Sequence, residues 1–520
     1  MPVTPDAAVP PLIAALMQPR RYAHAVDAVE LIETHISWVL LAGEFAYKIK
    51  KPVALGFLDF STLEARRHFC EEELRLNRRT AAQIYLEVVP VGGSVDEPVL
   101  GGAGPPLEYA LKMRRFAQRA LFDAMAQRGE LDEALIERLA VMIAAFHANA
   151  PAACAGEHGT PANIRMPALQ NFDQLAQMPQ PADVLARLAA LRAWTIAEAE
   201  RLDGVFSQRK AAGCIRECHG DLHLGNLALI DGAPVAFDCL EFNAELRWID
   251  VISEIAFLMM DLFDRGNAAL AWCLLNAYLT ETGDYAGIAV LRFYLVYRAL
   301  VRAKVALLHA RQLAAGQVRG GEEAAFSHHV GLAETLAAPR AAGLILMHGL
   351  SASGKSRLSK QLAMRLGALR VRSDVERKRL AGLDQHASSG SAPGAGLYAD
   401  ASSQQTYAHL AAVAGQALQA GWPVIVDAAS LRAAQRECLR SAARAQGLPF
   451  VIVSIEMPPD LLRERLARRV AEGRSVSEAD GRVLEHQLQT QETLDDAERA
   501  GAVLVESTDV DAATVAAQVE

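Results

Sequence analysis

Apolar and polar positions alternate over residues 36–51, first in Ile36-Ser37-Trp38-Val39-Leu40-Leu41 and again in Phe45-Ala46-Tyr47-Lys48-Ile49-Lys50. With Gly43-Glu44 between them, the two runs predict a β-hairpin. Ser61-Thr62-Leu63-Glu64 is an N-capping signature, and a charged helical pattern continues from it to about residue 80. Residues 88–91 and 109–113 read as further strands. Residues 1–115 therefore predict a small, mostly β lobe with one helix.

Residues 116–335 change period. The pattern is helical from about 117 to 200, with a Pro/Ala/Gly-rich loop near 150–168, and helical again over 246–335. Between these stretches, short strands at 227–230 and 234–238 follow a polar loop. Residues 336–342 read as a linker. Beyond it, an apolar strand at 343–348 and strands near 423–427 and 450–455 alternate with helices, the pattern of a parallel α/β domain over 343–520. The Ser-, Ala- and Gly-rich stretch 386–404 predicts a mobile loop.

Composition narrows the setting. The chain has 520 residues, 52% of them apolar and 22% charged, the balance of a soluble globular protein of more than one domain. Fifty-two Lys and Arg stand against 61 Asp and Glu, and no long basic run appears. That argues against nucleic acid or an anionic membrane as partner. Seven scattered cysteines, without a second ligand pair at zinc spacing, predict reduced thiols. The apolar stretches at 251–263 and 291–308 are both broken by charges, short of the about 18 apolar residues of a membrane span. The expectation is a soluble cytoplasmic protein.

His219-Gly220-Asp221-Leu222-His223-Leu224-Gly225-Asn226 has the His-x-Asp-x-x-x-x-Asn spacing of a protein-kinase catalytic loop. Asp221 would accept the proton of an attacking hydroxyl. Asn226, at the other end of the loop, would hold magnesium on the ATP phosphates. A second metal ligand has to follow on the next hairpin. Asp238 fits, as the end of the strand that begins at Pro234, and Glu241 could assist. A phosphate-contacting lysine belongs on an early strand, paired by a helical glutamate. Lys48 and Lys50 share a face and both qualify; the Ala46-Tyr47-Lys48 stretch favours Lys48. Among Glu64, Glu71, Glu72 and Glu73, the last lies nearest the following strand and is favoured. His219, His223 and Asp250 read as supports of the loop.

With Asp250 further on, these residues resemble the aminoglycoside phosphotransferase family, which includes choline and homoserine kinases, over about 20–330. The resemblance implies an α+β, kinase-like bilobal fold, with ATP and Mg2+ as cofactors. Leu224 stands where the family commonly has proline. The only candidate for a glycine-rich phosphate loop is Leu41-Ala42-Gly43-Glu44.

A second motif, Gly349-Leu350-Ser351-Ala352-Ser353-Gly354-Lys355-Ser356, follows an apolar strand and opens a helix, the context a P-loop requires. Its backbone N–H groups, including those of Gly349, Ser351, Ser353 and Gly354, would wrap phosphates. Lys355 would meet the β- and γ-phosphates, and Ser356 a magnesium ion. The following residues resemble P-loop kinases of the zeta-toxin, gluconate-kinase and polynucleotide-kinase type over about 343–505. The resemblance implies that Asp374, in Arg372-Ser373-Asp374, activates an acceptor hydroxyl and that Arg377 places the acceptor. Val424-Ile425-Val426-Asp427 resembles a Walker-B strand, making Asp427 a magnesium-orienting residue. Arg465 and Arg469, four apart on one helix face, resemble an arginine-bearing lid. Tyr398 and Tyr407 could line the acceptor pocket or simply pack.

The joint pattern resembles a bacterial fusion of an aminoglycoside-phosphotransferase-like domain with a P-loop kinase or ATPase domain. The expected function is ATP-dependent transfer of a γ-phosphoryl group to a small-molecule hydroxyl acceptor at two nucleotide sites. Two alternatives stand beside it. In one, one half is catalytically silent and binds nucleotide as a sensor. In the other, the P-loop half is a nucleic-acid end kinase, against which its 20 Lys and Arg and 21 Asp and Glu speak.

Overall fold

The computed structural model describes residues 9–54, 58–178, 181–312, 320–387, 390, 395–472, 481–506 and 512–519. The chain packs as two compact units. One comprises Met1–Leu131, Ala145–Asn163 and Gln208–Leu258; the other comprises Asp132–Ala144, Ile164–Ser207 and Met259–Glu520.

The first unit is built on a six-stranded antiparallel sheet. Its strands are β1 (Val29–Glu33), β2 (Ser37–Ala42), β3 (Phe45–Lys50), β4 (Tyr85–Gly93), β5 (Pro98–Leu100) and β6 (Glu108–Arg114), in the order β1-β2-β3-β6-β4-β5. Leu40, Tyr47, Ile49, Val91 and Ala110 form one core with Ile13 and Leu16 of the N-terminal helix. The helix Leu63–Ala81 is capped by Thr62, whose hydroxyl accepts from the Ala65 N–H. Its buried stripe is unusually polar: Arg66, Glu73 and Asn77 lie beside Cys70 and Leu76. Such a face is stable only when every polar group finds a partner, and Arg66 meets Glu108 at 2.8 Å. Four short strands complete the unit. β7 (Ile215–Glu217) pairs with β10 (Trp248–Asp250), and β8 (Leu227–Ile230) pairs with β9 (Ala233–Ala236), all antiparallel.

The second unit holds a five-stranded parallel sheet in the order β12-β13-β11-β14-β15. The strands are β11 (Leu344–His348), β12 (Leu369–Arg372), β13 (Val424–Asp427), β14 (Phe450–Ile455) and β15 (Val503–Val505). Continuous apolar strands such as β11, buried at all five positions, mark a sheet covered on both faces. The long helices Ala268–Thr282, Ile288–Gln312 and Gly320–Ala337 belong to this same unit. Trp272 meets Trp422 edge-on at 5.4 Å, and the Arg340 guanidinium lies over both rings. Among the described residues, no helix is long and apolar enough to cross a membrane.

The kinase-like α+β fold and the parallel P-loop sheet are thus both present. Local expectations differ in several places. β1 and β5 were not predicted: β1 does not alternate, and β5 is three residues long and begins at Pro98. The loop expected over 150–168 gives way to a helix at Pro161, because proline suits a first helical position and Thr160 accepts from the Asn163 N–H. The strand expected to end at Asp238 stops at Ala236. Within 386–404, a helix begins at Asp400; residues 388–389 and 391–394 lie outside the described residues.

Candidate functional sites

In the first unit, β3 projects Lys48 and Lys50 from one face towards the helix Leu63–Ala81. Glu73 sits between them: Lys48 Nζ reaches one of its oxygens at 2.8 Å and Lys50 Nζ the other at 2.7 Å. Lys48 also reaches Asp238 at 2.6 Å, and Lys50 also binds Glu241. The side chains of Glu73 and Lys50 are 0% and 1% exposed, that of Lys48 is 12% exposed and that of Asp238 is 45% exposed. The cluster therefore opens to solvent on the Asp238 side. Burial would discharge the Lys48 ammonium, but Asp238 and Glu73 hold its pKa well above the ordinary lysine value. Burial would raise Glu73 too, and the two lysines reverse this and push it down. Glu241 is pushed up, chiefly by burial.

The other candidates fall outside this cluster. Glu71 pairs with Arg67, Glu72 pairs with Arg75 and Arg247, and Glu64 is exposed. Gly43 occupies the β2–β3 turn at φ +58°, where a Cβ would lie 2.7 Å from the Ala25 carbonyl oxygen. It serves a hairpin and not a phosphate loop. The β1–β2 turn is Thr34-His35-Ile36, which contains no glycine.

Asp238 stands in the left-handed region at φ +61°. That conformation costs a non-glycine residue on the order of 1–3 kcal/mol unless its surroundings impose it. Here the Asp238 N–H donates to the Tyr85 hydroxyl at 3.0 Å, and the next N–H, of Cys239, donates to Asn77 at 2.9 Å.

The catalytic-loop residues follow β7. Asn226 Nδ2 donates to both the Asp221 carbonyl and its carboxylate, at 2.9 and 3.1 Å. This turns the Asn226 amide oxygen away from Asp221. The Asp221 side chain is 42% exposed. His219 is buried, with Nε2 2.9 Å from the Phe237 carbonyl, and burial lowers its pKa. It ties the loop to the Asp238 segment. The His223 Nδ1 accepts from the Gly225 N–H. Asp250 is taken up by Arg209 at 2.6 Å and by the Ile252 N–H.

Sequence reasoning missed Glu254, four residues after Asp250 on the helix Val251–Asp264. One of its oxygens accepts the Gly220 N–H at 2.7 Å, and the other lies 2.9 Å from His147 Nε2. Cys218, His147 and Glu254 have ligand atoms close enough to hold a metal. Yet Glu254 is committed to hydrogen bonds, and burial raises the Cys218 thiol pKa well above its ordinary value. That set therefore reads as a brace for the catalytic loop. Asn226 and Asp238 offer what magnesium prefers, hard oxygen donors, with Asp238 half-open to solvent beside a lysine suited to phosphate.

In the second unit, the P-loop runs from β11 into the helix Lys355–Leu366. Gly349, Ala352 and Gly354 take φ of +140°, +63° and +102°. A Cβ on Gly349 would sit 2.7 Å from the Ile455 carbonyl oxygen. Lys355 Nζ donates to the Leu350 carbonyl at 2.6 Å, folding its ammonium over the loop. The Ser351 N–H donates to Gln487, and Ser353 is buried. Ser356 Oγ lies 3.4 Å from Asp427 Oδ1. The other Asp427 oxygen accepts from Arg370 at 2.6 Å, with Arg372 at 4.0 Å. Burial would raise Asp427, but the two arginines hold its pKa below the usual carboxylate range. A wrapped loop, a lysine, a hydroxyl and an ionised aspartate fit a magnesium-bound nucleotide phosphate.

Asp374 lies in the first turn of the helix Ser373–Leu380. Arg377 donates to the Leu397 carbonyl and stacks 5.0 Å from the Tyr398 ring. Tyr407 is a core residue, 5% exposed, and its hydroxyl accepts the Ser430 N–H. Arg465 is half-buried on the helix Pro459–Glu472, which packs Leu462 and Leu466 towards Leu350 and Ala352 of the P-loop. The Arg469 side chain lies outside the described residues. Arg370, also missed from sequence, is the direct partner of Asp427.

Comparison with known proteins gives two family matches. Residues 61–294 match the phosphotransferase enzyme family, and residues 344–494 match an AAA domain. Uncharacterized proteins of Mycobacterium tuberculosis and Mycobacterium bovis are each 31% identical over 445 residues, spanning 85% of this chain and 86% of theirs. Among solved structures, an amicoumacin kinase with AMP-PNP and Ca2+ matches at 14% identity and TM-score 0.39, covering 62% of this chain and 92% of that one. A gluconokinase from Sinorhizobium meliloti matches at 24% identity and TM-score 0.24, covering 35% and 90%.

Proposed function

Because this chain belongs to the same family as the mycobacterial proteins, a phosphotransferase-family domain followed by a P-loop kinase domain, we propose that it is an ATP-dependent phosphotransferase with two nucleotide sites. Each site moves a γ-phosphoryl group to a hydroxyl of a small-molecule acceptor. The observation that carries this reading is the Lys48 ammonium bridging Glu73 and Asp238 at 2.8 and 2.6 Å.

At the first site, Lys48 meets phosphate oxygens, and Asn226 and Asp238 hold magnesium. Asp221 takes the proton of the acceptor hydroxyl, its carboxylate oriented by Asn226. Magnesium, when bound, neutralises phosphate charge. At the second site, the backbone from Gly349 to Gly354 cradles phosphates, Lys355 adds a point charge, and Ser356 with Asp427 positions the metal. Asp374 is the base, Arg377 places the acceptor, and Arg465 meets the charge that develops on transfer.

The test uses γ-labelled ATP and a cytosolic metabolite extract with the full-length chain. Asp221→Asn should remove first-site products, with turnover reduced about 10²–10⁴-fold, and Lys355→Ala should remove the second-site products. Label transfer unchanged by either substitution sinks the reading. A second reading, in which the first site holds nucleotide without turnover, draws on the glycine-free β1–β2 turn. It predicts second-site products only.

A further inference from the structure

The sheet of the P-loop half has an open edge at β12. Leu369 donates to the Pro423 carbonyl on the β13 side, so the Arg370 N–H and the Ala368 carbonyl face outwards. Both are met by one side chain, Asn276, on the helix Ala268–Thr282. Its Oδ1 accepts the Arg370 N–H at 2.7 Å, and its Nδ2 donates to the Ala368 carbonyl at 3.0 Å. The amide completes the ladder of an edge strand as a sixth strand would. Asn276 comes from the region that matches the phosphotransferase family, 61–294, and lies ahead of β11.

The residue held in this way is not an ordinary strand residue. The Arg370 side chain turns to the nucleotide-facing end of the sheet. Its guanidinium binds Asp427 at 2.6 Å and the Ser356 carbonyl at 2.9 Å, and its Nε donates to Ser359 at 2.8 Å. One residue thus joins the capped edge to the Walker-B aspartate and to the first turn after the P-loop. The packing around Asn276 leaves little play. Trp272, one turn earlier, lies where a Cβ on Gly367 would come within 2.8 Å, and it meets Trp422 edge-on.

We propose that Asn276 is a positioning residue of the P-loop site. By capping β12 it holds Arg370, and Arg370 holds Asp427 and Ser356 in the geometry that binds a magnesium-bound nucleotide. The helix Ala268–Thr282, which lies within the span matching the phosphotransferase family, is then part of the P-loop half's active structure. This rests on the nucleotide-binding part of the reading above and is independent of what either site phosphorylates.

The test uses the full-length chain with Asp238→Asn, which weakens the first site, titrated with Mg2+ and a non-hydrolysable ATP analogue. Asn276→Ala should weaken Lys355-dependent binding about fivefold or more and speed hydrogen exchange at the Arg370 amide. Asn276→Asp keeps the acceptor for that amide and should fall between. Arg370→Lys, which retains charge beside Asp427 but loses the fork to Ser356, should weaken binding without speeding that exchange, and it covers the case in which Asn276→Ala fails to fold. First-site turnover, measured with Lys355→Ala in a chain with native Asp238, should not respond to Asn276→Ala. Unchanged affinity in Asn276→Ala, with or without faster exchange, overturns the proposal and leaves Asn276 an edge cap. If the parent shows no Lys355-dependent binding, the nucleotide reading of the P-loop falls, and this proposal with it.

Discussion

The two sites prepare for phosphate by opposite means. The first gathers ionised side chains from distant segments: Lys48 and Lys50 from β3, Glu73 from a helix, Asp238 and Glu241 from beyond β9. Its β1–β2 turn, Thr34-His35-Ile36, carries no glycine. The second relies on backbone shape, with three left-handed residues between β11 and its helix, and few charges besides Lys355 and the Arg370–Asp427 pair. A site made of buried charges is fragile to the loss of any one of them. A site made of backbone is fragile to added bulk and tolerant of lost side chains.

The largest expected effect follows from the first arrangement. Glu73 is fully buried and is shared by two ammonium groups, which Asp238 and Glu241 help to balance. Glu73→Gln leaves both lysines short of a counter-charge, and breaking a buried pair costs about 3–5 kcal/mol. Chemical denaturation should show a loss of that size, together with loss of first-site turnover. Lys355→Ala should leave denaturation within about 0.5 kcal/mol of the parent while abolishing second-site turnover. Equal stability losses for the two substitutions would erase the contrast.

The second arrangement is probed by adding one carbon. Gly349→Ala places a Cβ against the Ile455 carbonyl oxygen and asks alanine to hold a φ of +140°. A strained backbone of this kind costs about 1–3 kcal/mol, and hydrogen exchange across β11 and β14 should report it. Gly101→Ala, also at positive φ but with open space around its Cβ, should cost less. A cost at Gly101 equal to or above that at Gly349 would mean that the crowded cradle adds nothing to the penalty.

The same contrast explains what could be read from the chain. The P-loop was legible because its eight residues are contiguous and its geometry is local. The catalytic loop was legible for a similar reason, since Asp221 and Asn226 are five apart. What stayed hidden is held across long separations. Lys50 and Glu241 are 191 residues apart, and Asn276 and Arg370 are 94 apart. A partial signal was present: charged residues two apart on a buried strand, Lys48 with Lys50 and Arg370 with Arg372, demand counter-charges from elsewhere. Lys48 and Lys50 each take one oxygen of Glu73, and what separates them is exposure, 12% against 1%, which no local pattern reveals. The strand expected from Pro234 to Asp238 ends at Ala236. The turn that follows, with Tyr85 and Asn77 as its partners, is tertiary and cannot be read locally.

The smallest expected effect concerns acid. His348, at the end of β11, is 8% exposed, and its Nδ1 lies 2.9 Å from Ser454 Oγ. Burial, with Arg436 and Lys355 nearby, lowers its pKa from the ordinary 6.5 to about 4. In the folded state the ring stays neutral until about pH 4, whereas in the unfolded chain it gains its proton near 6.5. The unfolded state therefore binds the proton first, and stability falls as pH drops from about 6.5 towards 4. Between pH 7 and pH 5 this amounts to about 1–2 kcal/mol. His219 in the first unit is also lowered by burial, so a global melt would mix the two. Hydrogen exchange resolved to β11 and β14, in the parent and in His348→Gln, separates them. The parent should lose protection there over that range, and His348→Gln should lose less while β7 and its neighbours behave alike in both. Identical pH slopes at β11 in the two proteins would mean that the acid response of the P-loop half arises from its carboxylates instead, with Asp427 and its arginines the first to examine.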